Sequence, residues 1–278
     1  MATSKEEFGR PVTAIRSAGF GEVRYIAAMR VQVEVCVSSV EEALAAVAFG
    51  VDSVEVCTWL ACGGLTPGPA LVEAVRERTQ NTGVQRRVLV RPGPAGFVYN
   101  DVERRVILRD PQLLIAADPT AGVVAGALTA DGEVDLALMI DLAHALPGRE
   151  LTFHRAIDHA KDPPGAVDRL RGSGVRRILS SGGKTLAVDG AATLREMVSR
   201  SGHDLWIAAA GGIHAHNVVQ VVETSGVQDV HFAAQRPIGG AVTGAAMSSA
   251  HAATNFATEP DKAKIEGVLN ALVKAGLR

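Results

Sequence analysis

The chain has 278 residues, 47% of them apolar, with 28 Lys and Arg against 30 Asp and Glu; that is enough to bury one full core, and the net charge of -2 comes without a long basic run or an aromatic ladder, which argues against nucleic acid and anionic membrane surfaces as partners. Every stretch approaching 20 apolar residues is broken by Gly, Pro or charge, so no membrane span is expected, and Lys5, Glu6, Glu7 and Arg10 do not read as a secretory signal. The expectation is a cytoplasmic protein with a small-molecule or metal partner, whose three cysteines, Cys36, Cys57 and Cys62, are thiols rather than disulfides.

Residues 1–29 show neither helical nor strand periodicity and read as an amino-terminal extension or arm, with Met29 a candidate alternative start. The remainder, 30–278, reads as a single α/β domain. Short β-branched runs alternate with Ala, Leu and Val helices, as in a chain of βα units. Eight strands are predicted, with cores at 31–36, 53–57, 87–91, 122–128, 151–155, 177–180, 205–209 and 229–232. Eight units favour a closed (β/α)8 TIM barrel over an open sheet, and no strand runs into a GxGxxG turn, so no nucleotide cofactor is expected. Helix starts are marked by Ser38 or Ser39 with Glu41 and Glu42, and by Pro67 and Pro69 ahead of 70–78. The Gly-, Ala- and Ser-rich segment 239–249 is predicted to be a loose last loop, and a closing helix is expected around 261–275.

In such a barrel the reactive face lies at the carboxyl ends of the strands. The first two strands share Val-Glu-Val-Cys, as Val33–Cys36 and Val54–Cys57. Period-two alternation puts Glu34 with Cys36, and Glu55 with Cys57, on one face of each strand. Carboxylates inside otherwise apolar strands need a partner or a pocket; one reading pairs them with Arg91 at the end of the third strand, and even then a Glu, Glu, Arg cluster in the barrel mouth is a ligand-binding surface. The thiols either pack a barrel layer or supply a soft two-thiolate site suited to Cu(I). Strand five ends in His154, Arg155 and Asp158, a set able to move protons or hold a ligand's oxygens, although Asp158 is also a natural helix cap. Turns at Ser181-Gly182-Gly183-Lys184 and at Gly211-Gly212 offer backbone N–H groups, and Lys184 a cation, to a phosphate. His231 on strand eight points either into the core or into the site.

Taken together, Val-Glu-Val-Cys with Gly63-Gly64-Leu65-Thr66-Pro67, Arg91-Pro92 followed by Phe97 and Tyr99, Thr152-Phe153-His154-Arg155-Ala156 with Asp158, and Ser181-Gly182 make the chain resemble the CutC family of copper homeostasis proteins. The resemblance implies a TIM barrel, a homodimer or higher homo-oligomer, and Cu(I) at Cys36 and Cys57. The chain departs from the family pattern at Gly93-Pro94-Ala95-Gly96-Phe97, where a carboxylate is lost, and at Phe232 to Arg236. Copper binding is thus one functional expectation. The alternative is lyase- or isomerase-type acid-base chemistry on a small anionic or polyhydroxylated substrate, carried by Glu34, Glu55, Arg91, His154, Arg155 and Asp158.

Overall fold

A computed structural model describes residues 30–238 and 257–278. The expected arm at 1–29 and the whole of the glycine-rich segment 239–249 therefore lie outside the described residues.

Eight strands, β1 Gln32–Val37, β2 Ser53–Val56, β3 Gln85–Leu89, β4 Gly122–Ala125, β5 Leu151–Phe153, β6 Val175–Ser180, β7 Trp206–Ala210 and β8 Asp229–Ala233, pair in sequence order, and β8 returns to β1 to close a parallel barrel. Between and after them run α1 Val40–Ala48, α2 Pro69–Thr79, α3 Asp101–Ala117, α4 Leu136–Ala145, α5 Pro163–Leu170, α6 Ala191–Ser201, α7 Val218–Ser225 and α8 Lys262–Lys274. The fold is a (β/α)8 TIM barrel. A short antiparallel pair, β9 Gln235–Pro237 and β10 Thr258–Pro260, precedes α8. Among the described residues no helix is long and apolar enough to cross a membrane.

The alternation along each strand sorts the side chains into two apolar sets. Val33, Val35, Val54, Val56, Val88, Val123, Ile178, Ile207 and Val230 face outward and pack under the helices. Cys36, Cys57, Leu89, Val124, Leu179, Ala208 and Ala210 form a smaller buried cluster of their own, at the positions that alternation turns inward. The helices dock as their ends dictate. Ser39, rather than Ser38, caps α1 by accepting from the Glu42 N–H, and Pro69 opens α2 at a position where no amide bond is lost. Asn100 and Glu103 form a reciprocal capping box on α3.

Most strands lie where the sequence places them. β3 starts earlier, at Gln85, while β4 and β5 stop at Ala125 and Phe153: Leu128 N–H donates to Phe97 O, and after His154, whose N–H still donates to Ala125 O, the chain from Arg155 turns into a 3-10 helix.

Candidate metal centre

The barrel interior carries a layer of buried charge that begins with Glu34. Its carboxylate accepts from Ser53 Oγ at 2.9 Å, Arg87 Nη1 at 2.5 Å and Arg177 Nη1 at 2.8 Å, and lies 2.9 Å from His231 Nδ1. Arg87 continues to Glu150 through Nε and Nη2, at 2.6 and 3.1 Å, and Arg177 Nε donates to Asp229 at 2.6 Å. Burial by itself would raise the Glu34 carboxyl; the charges of Arg177 and Arg87 and the His231 bond outweigh it and hold Glu34 well below the usual carboxylate range. For Arg177 burial opposes the charged form, but Asp229 and Glu34 outweigh that and raise it. At the amino-terminal end, Arg87 and Glu150 line a cavity of about 300 Å³ together with Arg86, Thr120 and Arg149.

The expected Glu34–Arg91 pairing is therefore corrected. Arg91 donates instead to backbone carbonyls, from Nη1 to Cys62 and Gly64 and from Nη2 to Pro94 and Ala95, and so ties the loop after β2 to the loop after β3. The physical reason is position: Glu34 shares its barrel level with Ser53 and His231, whereas Arg91 lies beyond the end of β3.

Directly above this layer the register places Cys36 opposite Glu55, with His231 beside Glu34 on the neighbouring strand. One ligand atom each from Cys36, Glu55 and His231 lie within 4.8 Å of one another, all three residues buried, and His231 Nε2 is 3.3 Å from a Glu55 oxygen. Burial opposes a charged imidazole at His231, yet Cys36, Glu55 and the Glu34 bond outweigh it and raise its pKa well above the ordinary value. Glu55 is raised by burial, which the His231 charge only partly offsets. Cys57 is in the same buried cluster, but its Sγ faces Val37 O at 3.6 Å, and burial followed by the proximity of Cys36 pushes its thiol well up. The metal-type grouping thus joins Cys36 to Glu55 and His231, where the sequence suggests Cys36 with Cys57. All three cysteines are free.

At the carboxyl face, Asp158 accepts from Ser180 Oγ at 2.6 Å, from Ser181 N and Oγ at 2.9 Å each, from Gly183 N at 3.2 Å and from Arg155 Nε at 2.8 Å. Gly182 N donates to Ser180 Oγ and Arg155 Nη2 to Ser181 Oγ. The amides that the sequence offers to a phosphate are in this way occupied by the chain's own carboxylate and hydroxyl. At the next turn, Gly211 O and Gly212 O accept from Ala187 N and Asn217 Nδ2, and Lys184 is exposed. His154 stands apart: Nδ1 accepts from Ala156 N at 3.2 Å, Nε2 is buried without a partner among the described residues, and burial, then the Arg91 charge, lowers its pKa to about 3.

The family model described as the CutC family matches residues 31–236. The chain belongs to the CutC family. A CutC family protein of Glaesserella parasuis is 34% identical over 245 residues, covering 86% of this chain and 97% of the relative. One from Bacteroides thetaiotaomicron is 36% identical over 209 residues, covering 74% and 82%. The solved CutC of Streptococcus agalactiae, described as a copper homeostasis protein, superposes with a TM-score of 0.68 at 26% identity, over 73% of this chain and 98% of that one. A thiamine phosphate pyrophosphorylase from Pyrococcus furiosus, at 15% identity and a TM-score of 0.55, shares the fold alone. In CutC terms, the residues that sequence reasoning missed are Ser53, Arg87, Glu150, Arg177 and Asp229, none of them at the carboxyl end of a strand. The signal was available: an arginine within an apolar strand needs a buried partner as much as a glutamate does.

Proposed function

We propose that this CutC-family chain binds a copper ion inside the barrel, through Cys36, His231 and Glu55. One observation carries the reading: these three residues present a sulfur, a nitrogen and an oxygen within 4.8 Å of one another. The arrangement of His231 supports it. A metal-binding imidazole usually gives its other ring nitrogen to a carboxylate, which fixes the ring and its tautomer. Glu34 is so placed at Nδ1, which leaves Nε2 on the side of Glu55. Thiolate and imidazole suit Cu(I), and the family's name for copper homeostasis points to the same cargo. Cys57 would join the set only after losing a proton that its burial favours.

Acid-base catalysis on a small substrate is the lesser reading, because Arg91, Arg155 and Asp158 spend polar atoms on holding loops. A homo-oligomer, which the family resemblance implies, belongs to the same proposal and is read from the mass in solution.

The test is an anaerobic Cu(I) titration against a competing chelator. Stoichiometric binding should disappear in Cys36→Ser, weaken in His231→Gln and be least affected in Cys57→Ser. Equal loss in Cys36→Ser and Cys57→Ser with His231→Gln unchanged would replace this set by a two-thiolate one. Absence of tight binding in the wild type would end the copper reading.

A further inference from the structure

On the other side of the barrel, at the carboxyl ends of β3 to β5, several polar groups lack something to bind. His154 Nε2, Arg91 Nε and Tyr99 Oη are buried and have no hydrogen-bond partner among the described residues. They share a neighbourhood. The Arg91 guanidinium lies 5.2 Å from the centre of the Phe97 ring, and that ring is 5.1 Å from the His154 ring. Tyr99 follows two residues on and feels the Arg91 charge.

All three are donors. Because Nδ1 of His154 accepts the Ala156 N–H, the ring proton of the neutral imidazole sits on Nε2. Arg91 donates from Nε, and burial keeps the Tyr99 phenol protonated, raising it to about 12. Arg91 also has no carboxylate within ion-pair distance among the described residues; its contacts are four carbonyl oxygens and an aromatic face. A guanidinium that is 8% exposed with no counter-ion is an unfavourable arrangement that an anion would relieve. The imidazole is closely packed: a Cβ at Gly126 would fall 2.5 Å from His154 Nδ1, so the ring lies against the backbone just after β4 with Phe97 on another side.

We propose that a small carboxylate-bearing molecule binds here, its oxygens accepting from His154 Nε2, Arg91 Nε and Tyr99 Oη and its short apolar body lying on Phe97. The site draws on β3 to β5 and their loops, whereas the Cys36–Glu55–His231 group draws on β1, β2 and β8, so it stands without the copper reading. It specifies binding and holds whether or not the ligand is turned over. Entry requires Phe97 to yield, and the loop bearing it contains Gly93 and Gly96, which have open space around them.

The experiment labels histidine with ¹⁵N in the full chain and follows the His154 Nε2–H signal while acetate, then butyrate, is added against chloride at matched ionic strength. A saturable shift with the carboxylates and none with chloride is expected, with butyrate binding tighter. Tyr99→Phe, which keeps the ring and removes one donor, should raise the dissociation constant roughly three- to tenfold, the range for one lost hydrogen bond, and Phe97→Leu should remove the preference for butyrate. The proposal is overturned if neither carboxylate gives a saturable shift, if chloride acts equally, if Tyr99→Phe leaves affinity unchanged, or if the Nε2 proton cross-relaxes only with a bound water.

Discussion

Glu34 and Arg177 are 143 positions apart in the chain and meet inside the barrel at 2.8 Å, both side chains wholly enclosed. Their contact ties β1 to β6 and leaves neither charge near water. Such a pair contributes little net stability when complete, but removing one member strands the other, which costs about 3–5 kcal/mol. Glu34→Gln is therefore expected to lower the unfolding free energy, read from urea denaturation, by an amount in that range, with Arg87 and Arg177 both left short of a counter-charge. Glu150→Gln, at the more exposed end of the same network, should cost under about 1 kcal/mol. Comparable losses in the two variants would contradict the picture of Glu34 as the centre of the network.

Gly126 offers a steric test of how tightly His154 is held. A methyl group there would sit 2.5 Å from Nδ1 and 2.7 Å from Cε1 of the ring, closer than real contacts allow. The imidazole must shift, and overpacking of this kind costs about 1–3 kcal/mol. Gly126→Ala should thus be destabilised by that amount, and the Ala156 N–H, which loses its Nδ1 acceptor, should exchange faster. Gly93→Ala, with nothing within 4 Å, is the control and should fall within about 0.5 kcal/mol of the parent.

The barrel was legible because each strand announces itself by β-branched runs such as Val54 to Val56 and Val123 to Val124, and because eight such runs leave few ways to pack. Cys36, Glu55 and His231 were all legible as residues, but their grouping was not, since it depends on β8 closing onto β1, a register that no local pattern records. What Asp158 holds was not legible for a different reason. From the sequence its neighbours His154 and Arg155 suggest chemistry, while the groups it holds are on β6 and the turn after it, 22 to 25 residues ahead. Arg87 and Arg177 were not legible as site residues because they lie away from the carboxyl ends of the strands, where barrel chemistry usually lies.

His154 gives the stability a defined pH dependence. Its pKa falls from 6.5 to about 3 on folding, chiefly through burial. Above 6.5 the imidazole is neutral in both states and contributes no slope. As pH drops below 6.5 the unfolded chain takes up a proton that the folded chain refuses, so folding loses about 1.4 kcal/mol per pH unit until the folded group titrates near 3. The stability difference between the parent and His154→Gln should shrink at that rate between pH 6.5 and 4.5. Glu34, whose pKa is lowered, acts in a separate window, losing its contribution only as pH falls below its ordinary 4.5. Chemical denaturation at half-unit pH steps reads both; a flat difference above 4.5 would mean that His154 is protonated in the native state.

Asp158 is the last residue whose replacement discriminates between readings. Its two oxygens take the Ser181 and Gly183 amides, the Ser180 and Ser181 hydroxyls and Arg155. Gly182 and Gly183 both adopt the left-handed region, at φ 69° and 72°, a sharp turn that the carboxylate holds from inside. Asp158→Asn keeps the shape, removes the charge and replaces one acceptor oxygen by a donor. Hydrogen bonds to a charged group contribute about 1.5–3 kcal/mol each, so amide exchange at Ser181 and Gly183 should accelerate at least tenfold, a local effect, while exchange in β1 and β2 stays as in the parent. Because none of these bonds to Asp158 involves Cys36, Glu55 or His231, Cu(I) binding should be unchanged. If metal binding fell with exchange at Ser181 still slow, Asp158 would belong to the metal centre and its assignment as a turn-holding residue would be lost.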